Sequence, residues 1–328
     1  MATESRSAGV ETLSPEIKSI QPGGGTCMKI ELAWGYWRRW YLKTFRPRYL
    51  ADMLAKREGS TNPCPHEVLD PRDVKFYRNQ GGYCWSSGND PFCWRDRLPF
   101  ARAGLAELII LGGSMFLLTV ILVLVFWPLA IASALAGMSI VWFFRDPKRI
   151  IPSERGAVVS PADGHISCVE EVADEFIGRP AVLIGIFLSV FDVHINRASM
   201  DATVVGLRYR RGKFLNALRP ESARENERME IRLEQNRSPY RRFVIRQIAG
   251  AIARRIVCWV TPGESVKRGD QFGMIKLGSR TELIIPKEAG LEILISIGQK
   301  VKAGTTVLAK YSSTVGMAPS EPAAVERP

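Results

Sequence analysis

The chain has 328 residues, of which 46% are hydrophobic and 24% charged, an ordinary composition for a folded protein of one large or two modest domains. The net charge of +12 is unusual and favours polyanionic partners, either nucleic acid or an anionic lipid surface. Six scattered cysteines lack the dense spacing of a disulfide-rich secreted domain and suit a reducing compartment. The first residues carry neither the basic nor the apolar region of a secretory signal, so we expect none.

The first hundred residues divide into a tail and an extension. Residues 1–27 are polar and glycine-rich, which predicts a disordered tail, and Met28 is an alternative start. Residues 28–103 form an N-terminal extension whose role the sequence does not reveal. Within it, residues 34–50 mix tryptophan and tyrosine with arginine and lysine, a composition that suits the headgroup layer of a membrane. A small helix packed on the rest of the extension explains the same pattern equally well.

Four residues of the extension are possible zinc ligands: Cys64, His66, Cys84 and Cys93. Strong zinc motifs bring cysteines together in close C-x2-C pairs, and this spacing has none. We therefore predict no metal site and keep this tetrad as the alternative.

Residues 108–144 form a run of 37 residues without a charge, which predicts a membrane segment. One straight helix of that length would span about 55 Å, nearly twice the ~30 Å of a hydrocarbon core. Pro128 lies near the middle and would break such a helix, so two short spans or a re-entrant hairpin over residues 104–144 fit better. Arginine and lysine flank both ends, which keeps both ends in the cytoplasm. The alternative is a buried helical hairpin of a soluble protein.

After the hairpin the pattern changes to strands, in apolar, β-branched runs bounded by glycine, proline and aspartate. The pattern G-x-x-V-K-x-G occurs at residues 263–269 and again at 298–304, which predicts two matching strand–turn units. We therefore predict an α+β fold with a mostly antiparallel β domain over residues 145–312. Its C-terminal part should be quasi-symmetric and β-sandwich-like, followed by a flexible tail over residues 313–328.

Residues 273–286, GMIKLGSRTELIIP, form two apolar runs interrupted by Gly278 and Ser279, without the residues of an ordinary hairpin turn. A glycine leaves the backbone open to close approach, and a serine becomes a nucleophile when a base and an orienting partner lie beside it. His194 in FDVHINR and Asp163 in SPADGHI supply one such set, although each alone is more often structural. No G-x-S-x-G elbow surrounds the serine, which argues against an ordinary α/β hydrolase and favours attack on the chain's own backbone.

Six segments occur in the order found in phosphatidylserine decarboxylase proenzymes, and the chain closely resembles that family: FFRDPKR, SPADGHI, FLSVFDVHINR, NERM, GAIARRIV and GMIKLGSRTELIIP. The resemblance covers about Trp142 to Lys310 and is greatest to the short bacterial and archaeal branch. The first hundred residues lie outside this common core, and the resemblance implies no chemistry for them.

The resemblance implies a self-processing lyase. In this family the serine of the Gly-Ser pair attacks the preceding glycine carbonyl, the chain is cut there, and the serine becomes an N-terminal pyruvoyl group. Here the cut would fall between Gly278 and Ser279, leaving a β chain of residues 1–278 in a heterodimer with an α chain of residues 279–328. The pyruvoyl carbonyl forms a Schiff base with the amine of phosphatidylserine, takes up the electrons left by CO2 and yields phosphatidylethanolamine.

The family's histidine and aspartate match His194 and Asp163, so the resemblance implies proton transfer by the first and help in self-cleavage by the second. The long-form enzymes carry a second histidine where this chain has Arg197, which leaves open whether His194 serves both steps. Arg145, Arg149 and Arg197 are candidates for contact with the anionic headgroup. We expect an enzyme on the cytoplasmic face of the cell membrane, with phosphatidylserine as its partner, no nucleic acid, and a homo-oligomer left open.

Two functions of other classes compete with this one. GQKVKAGTTVLAK resembles half of a biotinyl or lipoyl carrier motif. The alternative function is therefore a membrane-anchored carrier or adaptor, in which Lys287 would be the modified lysine. The arginine-rich residues 208–255, with 14 Lys and Arg against 5 Glu, suggest nucleic-acid binding but contain no recognisable binding signature. Chain cleavage at Gly278 would separate the decarboxylase from both.

Overall fold

The structure is a computed structural model, and it describes residues 9–59, 67–74, 83–216, 221–251, 255–276 and 279–312. Its N-terminal part is helical. The α-helices of this part are α1 (Thr26–Phe45), α2 (Pro47–Ala55), α3 (Pro71–Val74), α4 (Leu105–Glu107), α5 (Gly113–Val125) and α6 (Trp127–Phe143). Short 3-10 turns lie at Ser87–Asn89, Cys93–Arg97 and Arg102–Gly104, and a π-helical turn lies at Leu108–Gly112.

Helices α5 and α6 form the predicted hairpin and pack against each other. The helical conformation breaks at Phe126 (φ −156°, ψ 88°), and Pro128 lies in the first turn of α6, where a missing N–H removes no helical hydrogen bond. A hydrogen bond of 2.8 Å joins the hydroxyls of Thr119 and Ser133 across the two helices. Most other side chains of the hairpin are apolar and exposed, as on a surface that faces lipid.

Within the described part of the chain, Arg102–Val125 is the one helix long and apolar enough to cross a membrane, and Trp127–Phe143 is a shorter apolar helix. By length and composition alone, this pair of helices is a candidate membrane segment. The two ends of the hairpin lie side by side, because the backbone N–H of Ala101 donates to Phe144 O over 2.8 Å. Both ends therefore join the rest of the protein at one place.

The described residues after the hairpin lie mainly in strands, with one short helix, α7 (Ser222–Glu225). The strands are β1 (Ala157–Val159), β2 (Gly164–Asp174), β3 (Arg179–Leu188), β4 (Ile195–Arg197), β5 (Ala202–Arg210), β6 (Arg228–Gln235), β7 (Arg242–Ile248), β8 (Arg255–Cys258), β9 (Ser265–Val266), β10 (Gln271–Lys276), β11 (Ser279–Pro286), β12 (Leu291–Ile293), β13 (Lys300–Val301) and β14 (Val307–Tyr311).

These strands pair in antiparallel fashion, which confirms the predicted fold class. An eight-stranded sheet has the order β13-β2-β3-β11-β7-β6-β5-β9, and two three-stranded sheets have the orders β4-β10-β8 and β1-β14-β12. One apolar core contains side chains from all three sheets, among them Val158, Ile245 and Ile275. Strand β11, which begins at Ser279, lies inside the large sheet between β3 and β7.

The internal repeat occupies the two edges of the large sheet. Val266 of β9 and Val301 of β13 are both buried, at opposite ends of the strand order. The last glycines of the two units, Gly269 and Gly304, both have positive φ (87° and 72°) and both approach the side chain of Ile151 closely. The quasi-symmetry predicted from the pattern is therefore present, and β11 lies between the two halves.

Residues 9–25 depart from the predicted disordered tail, because they pack along the β domain. Ile17 is fully buried in the apolar core, and the backbone N–H of Cys258 donates to Ile20 O over 2.8 Å. Isolated isoleucines among polar and glycine residues give no periodic signal, so the sequence pattern hides this anchoring. The tail predicted over residues 313–328 lies outside the described residues.

Helix α1 carries the aromatic stretch of the extension. Its Arg38 and Arg39 pair with Asp73 at 3.3 and 3.2 Å, which ties the helix to α3. Its aromatic side chains are more than half exposed at five positions: Trp34, Tyr36, Trp37, Trp40 and Phe45. The two interpretations of this stretch, a packed helix and a headgroup-layer helix, therefore describe different faces of the same helix.

The possible zinc tetrad is only partly visible. Cys64 and His66 lie outside the described residues, whereas Cys84 and Cys93 are exposed thiols without a disulfide bond. The tetrad is therefore not tested by the structure.

Two arginines within the arginine-rich residues 208–255 bind buried or half-buried carboxylates of the chain itself. Arg246 contacts Glu230 at 3.0 Å and Asp174 at 2.7 Å, and Arg232 contacts the same Glu230 at 2.9 Å. These side chains lie on the large sheet and stabilise its surface. Their charge is therefore compensated within the chain. Other arginines of the stretch, such as Arg210 and Arg237, are exposed, so the structure does not test the nucleic-acid alternative.

Candidate active site

Ser279 is the first residue of β11, where its backbone pairs with Leu188 at the end of β3. Its side chain is fully buried, and among the described residues its Oγ has no hydrogen-bond partner. Leaving a buried hydroxyl without a partner costs about 1–3 kcal/mol, so such a group in a native fold requires an explanation. Gly278, the other half of the predicted cleavage site, lies outside the described residues.

His194 lies directly before β4 and is fully buried, with the ring of Phe143 from α6 at 4.4 Å between ring centroids. Its Nδ1 is 2.8 Å from the backbone oxygen of Asp192. Because a carbonyl oxygen only accepts hydrogen bonds, Nδ1 carries the proton and Nε2 keeps the lone pair. Burial lowers the pKa of His194 to about 4, against the opposing effect of Asp192, so the imidazole is a neutral base at neutral pH.

Two contacts bring Ser279 and His194 to the same end of the site. Strand β10 passes β4 so that the N–H of Ile275 donates to His194 O over 3.2 Å. The chain then returns through β11, where Thr281 Oγ1 accepts a hydrogen bond of 3.1 Å from Asn196 Nδ2. Since side chains two positions apart on a strand share a face, Ser279 points to the same side as Thr281. Ser279 lies two residues before Thr281, and His194 lies two residues before Asn196, so both lie on the same side of this contact along their chains.

A buried amide pair holds the strands together beneath the serine. Gln247 on β7 donates from Nε2 to Asn196 Oδ1 over 2.8 Å and to Val257 O over 3.2 Å. Both amide side chains are fully buried. Sequence reasoning missed this pair. The one feature of the sequence that could have indicated it is Gln247, a polar residue inside the strand-forming run FVIRQI. A fixed amide network of this kind keeps β4, β7 and β11 in register at the site.

The loop between β3 and β4 orients the histidine. Asp192 Oδ2 accepts hydrogen bonds from the N–H (2.9 Å) and the Oγ (2.8 Å) of Ser189, which closes this loop on itself. The closed loop places the Asp192 carbonyl against His194 Nδ1. Leu188 is the strand partner of Ser279, and Ser189 follows it directly. One short loop therefore connects the backbone beside Ser279 with His194. Sequence reasoning gave Asp192 no role.

Asp163 lies just before β2, at the same end of the large sheet as Ser279. Strand β3 separates β2 from β11, so two strand spacings of about 4.8 Å put the two backbones ~10 Å apart. The Asp163 carboxylate accepts hydrogen bonds from Arg149 at 2.8 and 3.0 Å and from the N–H of Ala303 at 2.7 Å. The structure therefore brings Asp163 to the edge of the site, with Arg149 as its cationic partner.

Known proteins similar to this chain share one description. Residues 138–309 match the family described as phosphatidylserine decarboxylase. A phosphatidylserine decarboxylase proenzyme of Rhodopirellula baltica is 53% identical over 238 residues, which cover 73% of this chain and 99% of that protein. Proenzymes of the same description from Carboxydothermus hydrogenoformans (42% identity, 66% of this chain and 98% of that protein) and Cereibacter sphaeroides (41%, 66% and 91%) also match. The chain belongs to the phosphatidylserine decarboxylase family.

The match to the decarboxylase family begins inside α6 and ends inside β14. It therefore contains Asp163, His194 and Ser279, and it leaves α1 outside. The family membership confirms the resemblance that six sequence motifs indicated. The roles of the individual residues remain predictions.

The three arginines predicted to contact a headgroup each bind groups of the protein. Arg145 donates to two backbone oxygens at 2.7 Å each, and Arg149 holds Asp163. Arg197 pairs with Asp146 at 3.2 Å. All three lie near the site, and their contact with a headgroup remains a prediction.

Arg149→Gln should lower the free energy of unfolding by about 3–5 kcal/mol, because it leaves the Asp163 carboxylate without its cation in a buried place. The two side chains are only 9% and 11% exposed. Urea unfolding of the wild-type and variant proteins measures the loss. Arg242→Gln is the control, since Arg242 is half exposed in its pair with Glu234 and its loss should cost less than about 1 kcal/mol. Equal losses in the two variants would contradict the assignment of Arg149 as the partner that holds Asp163.

Proposed function

We propose that this chain decarboxylates phosphatidylserine to phosphatidylethanolamine with a pyruvoyl group that it makes from its own Ser279. The family membership supports the reaction, and the buried Oγ of Ser279, which has no hydrogen-bond partner among the described residues, is the observation that carries the mechanism. The large majority of buried hydroxyls in native folds have a hydrogen-bond partner, so this one requires an explanation. The test is to incubate the purified chain with phosphatidylserine vesicles and measure phosphatidylethanolamine, CO2 and the mass of the protein. An intact single chain that decarboxylates would contradict the proposal.

The carrier alternative has less support. A carrier presents its modified lysine at the turn between the two halves, and Lys287 instead follows the end of β11. Its Nζ pairs with Glu171 on the surface of the large sheet. The observations therefore favour an enzyme over a carrier.

The proposed cleavage uses residues of the chain alone. His194 Nε2 takes the proton of the Ser279 hydroxyl while Oγ attacks the carbonyl carbon of Gly278. The peptide C–N bond breaks, an ester forms, and the proton passes to the freed amine. Loss of the Cα proton of residue 279 then breaks the Cβ–O bond and releases Gly278 as a carboxylate. Water finally replaces the nitrogen, which leaves as ammonia, and a ketone remains at the N-terminus of β11. We assign Asp163 the role of assisting the base in these steps.

The residues present fit a pyruvoyl group at position 279. A ketone is close in size to the serine side chain that already fills this buried place, and it needs no donor that the site lacks. The group supplies a carbonyl that binds the substrate amine and accepts the electrons released when CO2 leaves.

His194 is the residue to which we assign proton transfer during decarboxylation. A bound substrate brings an ammonium group, and the neutral imidazole can take its proton at Nε2. The negative charges of the substrate favour the protonated imidazole and so oppose the burial that lowers its pKa. After CO2 has left, His194 can return this proton to Cα, and the product amine takes up one further proton from solvent as it leaves as an ammonium group.

The two products of cleavage should remain together as a heterodimer of residues 1–278 and 279–328. Strand β11 pairs with β3 along its whole length, from Ser279 opposite Leu188 to Pro286 opposite Ala181, and with β7 on its other edge. A strand held on both edges inside a sheet does not leave without unfolding the sheet.

We place the enzyme at the cytoplasmic face of the cell membrane. Basic residues flank both ends of the hairpin, which keeps those ends in the cytoplasm. The exposed aromatic face of α1 suits the headgroup layer and provides a second contact with the membrane.

Replacing residues 108–142 with a soluble linker should release the protein from vesicles and leave self-cleavage intact, because cleavage is intramolecular. Phe143 and Phe144 are kept in this variant because they are buried against the β domain, and Glu107 is kept because it pairs with Lys276. Flotation with phosphatidylcholine vesicles measures binding, and a denaturing gel measures cleavage. Activity on vesicle substrate should fall more than activity on detergent-dispersed substrate. A variant that still floats with the vesicles would show that the hairpin is not the main anchor.

A further inference from the structure

A buried lysine ends the strand that leads to the proposed cleavage site. Lys276 is the last residue of β10, and two residues separate it from Ser279. It is 7% exposed, and its ammonium pairs with Glu107 and donates a hydrogen bond of 3.1 Å to Gln21 Oε1. We call Gln21, Glu107 and Lys276 the cleavage clamp. Its members come from three separate parts of the chain: the N-terminal segment of residues 9–25, α4 and β10.

Both partners of the lysine are held in place by other parts of the chain. Glu107 is 7% exposed and belongs to the continuous helix Arg102–Val125. Gln21 belongs to the N-terminal segment that packs along the β domain, and its Nε2 donates to Gly24 O over 2.6 Å. The position of the Lys276 ammonium is therefore set by the N-terminal segment and the hairpin helix as well as by its own strand.

Stability alone is a weak reason for this ion pair. Burial removes both charges from water, and an apolar pair of similar volume is often as stable or more stable. The second carboxylate oxygen of Glu107 is also buried and has no hydrogen-bond partner among the described residues, which adds a further cost. Buried ion pairs are retained in some proteins because they fix one arrangement of the chain. The place of this pair, next to the proposed cut, indicates such a role.

The geometry of self-cleavage explains what a fixed Lys276 does. Attack requires Ser279 Oγ and the Gly278 carbonyl carbon to lie about 3–3.5 Å apart with their orbitals aligned. Glycine adopts many backbone conformations, so Gly278 by itself does not set the direction of its carbonyl. Pairing of β11 with β3 fixes Ser279 on one side, and the clamp fixes Lys276 on the other. Two residues between fixed ends leave few directions for that carbonyl.

We propose that the cleavage clamp positions the Gly278 carbonyl for attack by Ser279. Lys276 is a positioning residue, and Gln21 and Glu107 act through it. Both partners lie outside residues 138–309, which match the decarboxylase family. Self-cleavage in this chain therefore depends on the packing of the N-terminal segment and of α4 on the β domain. The inference rests on the proposed function, which supplies the cleavage reaction.

The test removes both buried charges together, so that neither is left unpaired. Glu107→Leu combined with Lys276→Met should slow self-cleavage about 10- to 100-fold, since a misplacement of about 1 Å can cost about 10²-fold in rate. Cell-free synthesis followed by a denaturing gel measures the rate. The same two substitutions in the uncleaved Ser279→Ala chain should leave the urea midpoint equal or higher, because an apolar pair replaces the ions. Slower cleavage without a loss of stability is a result that a merely structural pair would not give.

A second ion pair, at the other end of β11, is the matched control. Arg241 pairs with Glu288, which lies two residues after β11, and their side chains are 11% and 18% exposed. The Lys276 and Glu107 side chains are 8% and 9% exposed. The other partner of Glu288 is Arg179, which is 42% exposed and tolerates the loss of this carboxylate. Arg241→Met combined with Glu288→Leu should cleave at the wild-type rate, because this pair lies away from the cut.

Two single variants separate position from charge. Lys276→Arg keeps a cation with donors for both partners, and the cavity of about 770 Å³ beside Lys276 has room for a longer side chain. It should cleave at least about tenfold faster than the double variant. Gln21→Met keeps the ammonium and removes one acceptor, so it should slow cleavage about threefold through position alone.

A double variant that cleaves as fast as the Arg241 and Glu288 control would overturn the clamp. So would a urea midpoint that falls together with the cleavage rate, since loss of the fold would then explain the slower cut. Lys276→Arg as slow as the double variant, or Gln21→Met as fast as the wild type, would also overturn it. In each of these cases the wild-type chain still cleaves, so the proposed function stands. A wild-type chain that does not cleave would overturn the proposed function itself.

Discussion

Ser279→Ala should remain one full-length chain without decarboxylase activity, whereas the wild-type protein should separate on a denaturing gel into residues 1–278 and 279–328. Without the hydroxyl no ester forms, so the chain is not cut and no ketone becomes available to accept electrons. Intact-mass measurement checks the cut, and CO2 release from phosphatidylserine checks activity. The smaller wild-type piece should also resist Edman degradation, because a pyruvoyl group has no α-amine.

Ser296→Ala is the matched control, since Ser296 is an exposed serine on the same C-terminal piece. It should cleave and decarboxylate like the wild type, with that piece lighter by one oxygen atom.

Ser279→Cys should cleave slowly, because a thiolate can attack the same carbonyl. Ser279→Ala should not lower the free energy of unfolding by more than about 1 kcal/mol, since the lost hydroxyl has no partner in the described structure. Decarboxylation by uncleaved Ser279→Ala would remove the basis of the proposed mechanism.

The features that the sequence predicted correctly are those with local signals. A long uncharged run and Pro128 are enough to predict two apolar helices with a break between them, because helix length and backbone sterics depend on neighbouring residues. The repeated pattern at residues 263–269 and 298–304 predicted two equivalent units, and its valines and glycines occupy equivalent places at the two sheet edges. The motif set also predicted the family.

The contacts that complete the site join residues far apart in the chain, and no local pattern encodes them. Lys276 bonds Gln21 across 255 positions, and Gln247 bonds Asn196 across 51. The partner of Asp163 was missed although it lies nearer in the chain: sequence reasoning treated Arg149 as a headgroup contact, and the structure pairs it with this carboxylate 14 positions away. A buried polar group needs a partner, but which partner it finds depends on the packing of the whole fold.

His194→Ala should slow self-cleavage by about 10²–10⁴-fold, the usual contribution of a positioned acid or base, and should abolish decarboxylation with it. The described geometry supports this role, because the bond from Nδ1 to the Asp192 oxygen leaves Nε2 as the basic nitrogen. His165→Ala is the control, since His165 is exposed on β2, where its backbone pairs with Phe187 and Lys300 in the sheet. Cleavage by the two variants at the same rate would exclude His194 as the base.

The pH dependence of cleavage should identify the same histidine. Because burial lowers the pKa of His194 to about 4, Nε2 stays unprotonated from about pH 8 to about pH 5, and the cleavage rate should be flat over that range. A histidine with the ordinary pKa of about 6.5 would already lose rate below that pH.

The stability of the protein should change over the same pH range. His194 binds a proton below about pH 6.5 in the unfolded chain but only below about pH 4 in the native protein. The free energy of unfolding should therefore decrease as pH falls from about 6.5 to about 4, by up to about 3 kcal/mol. Cell-free synthesis at each pH measures cleavage, and urea unfolding measures stability. His194→Ala should lack this part of the pH dependence of unfolding, and a wild-type cleavage rate that halves near pH 6.5 would contradict the buried neutral base.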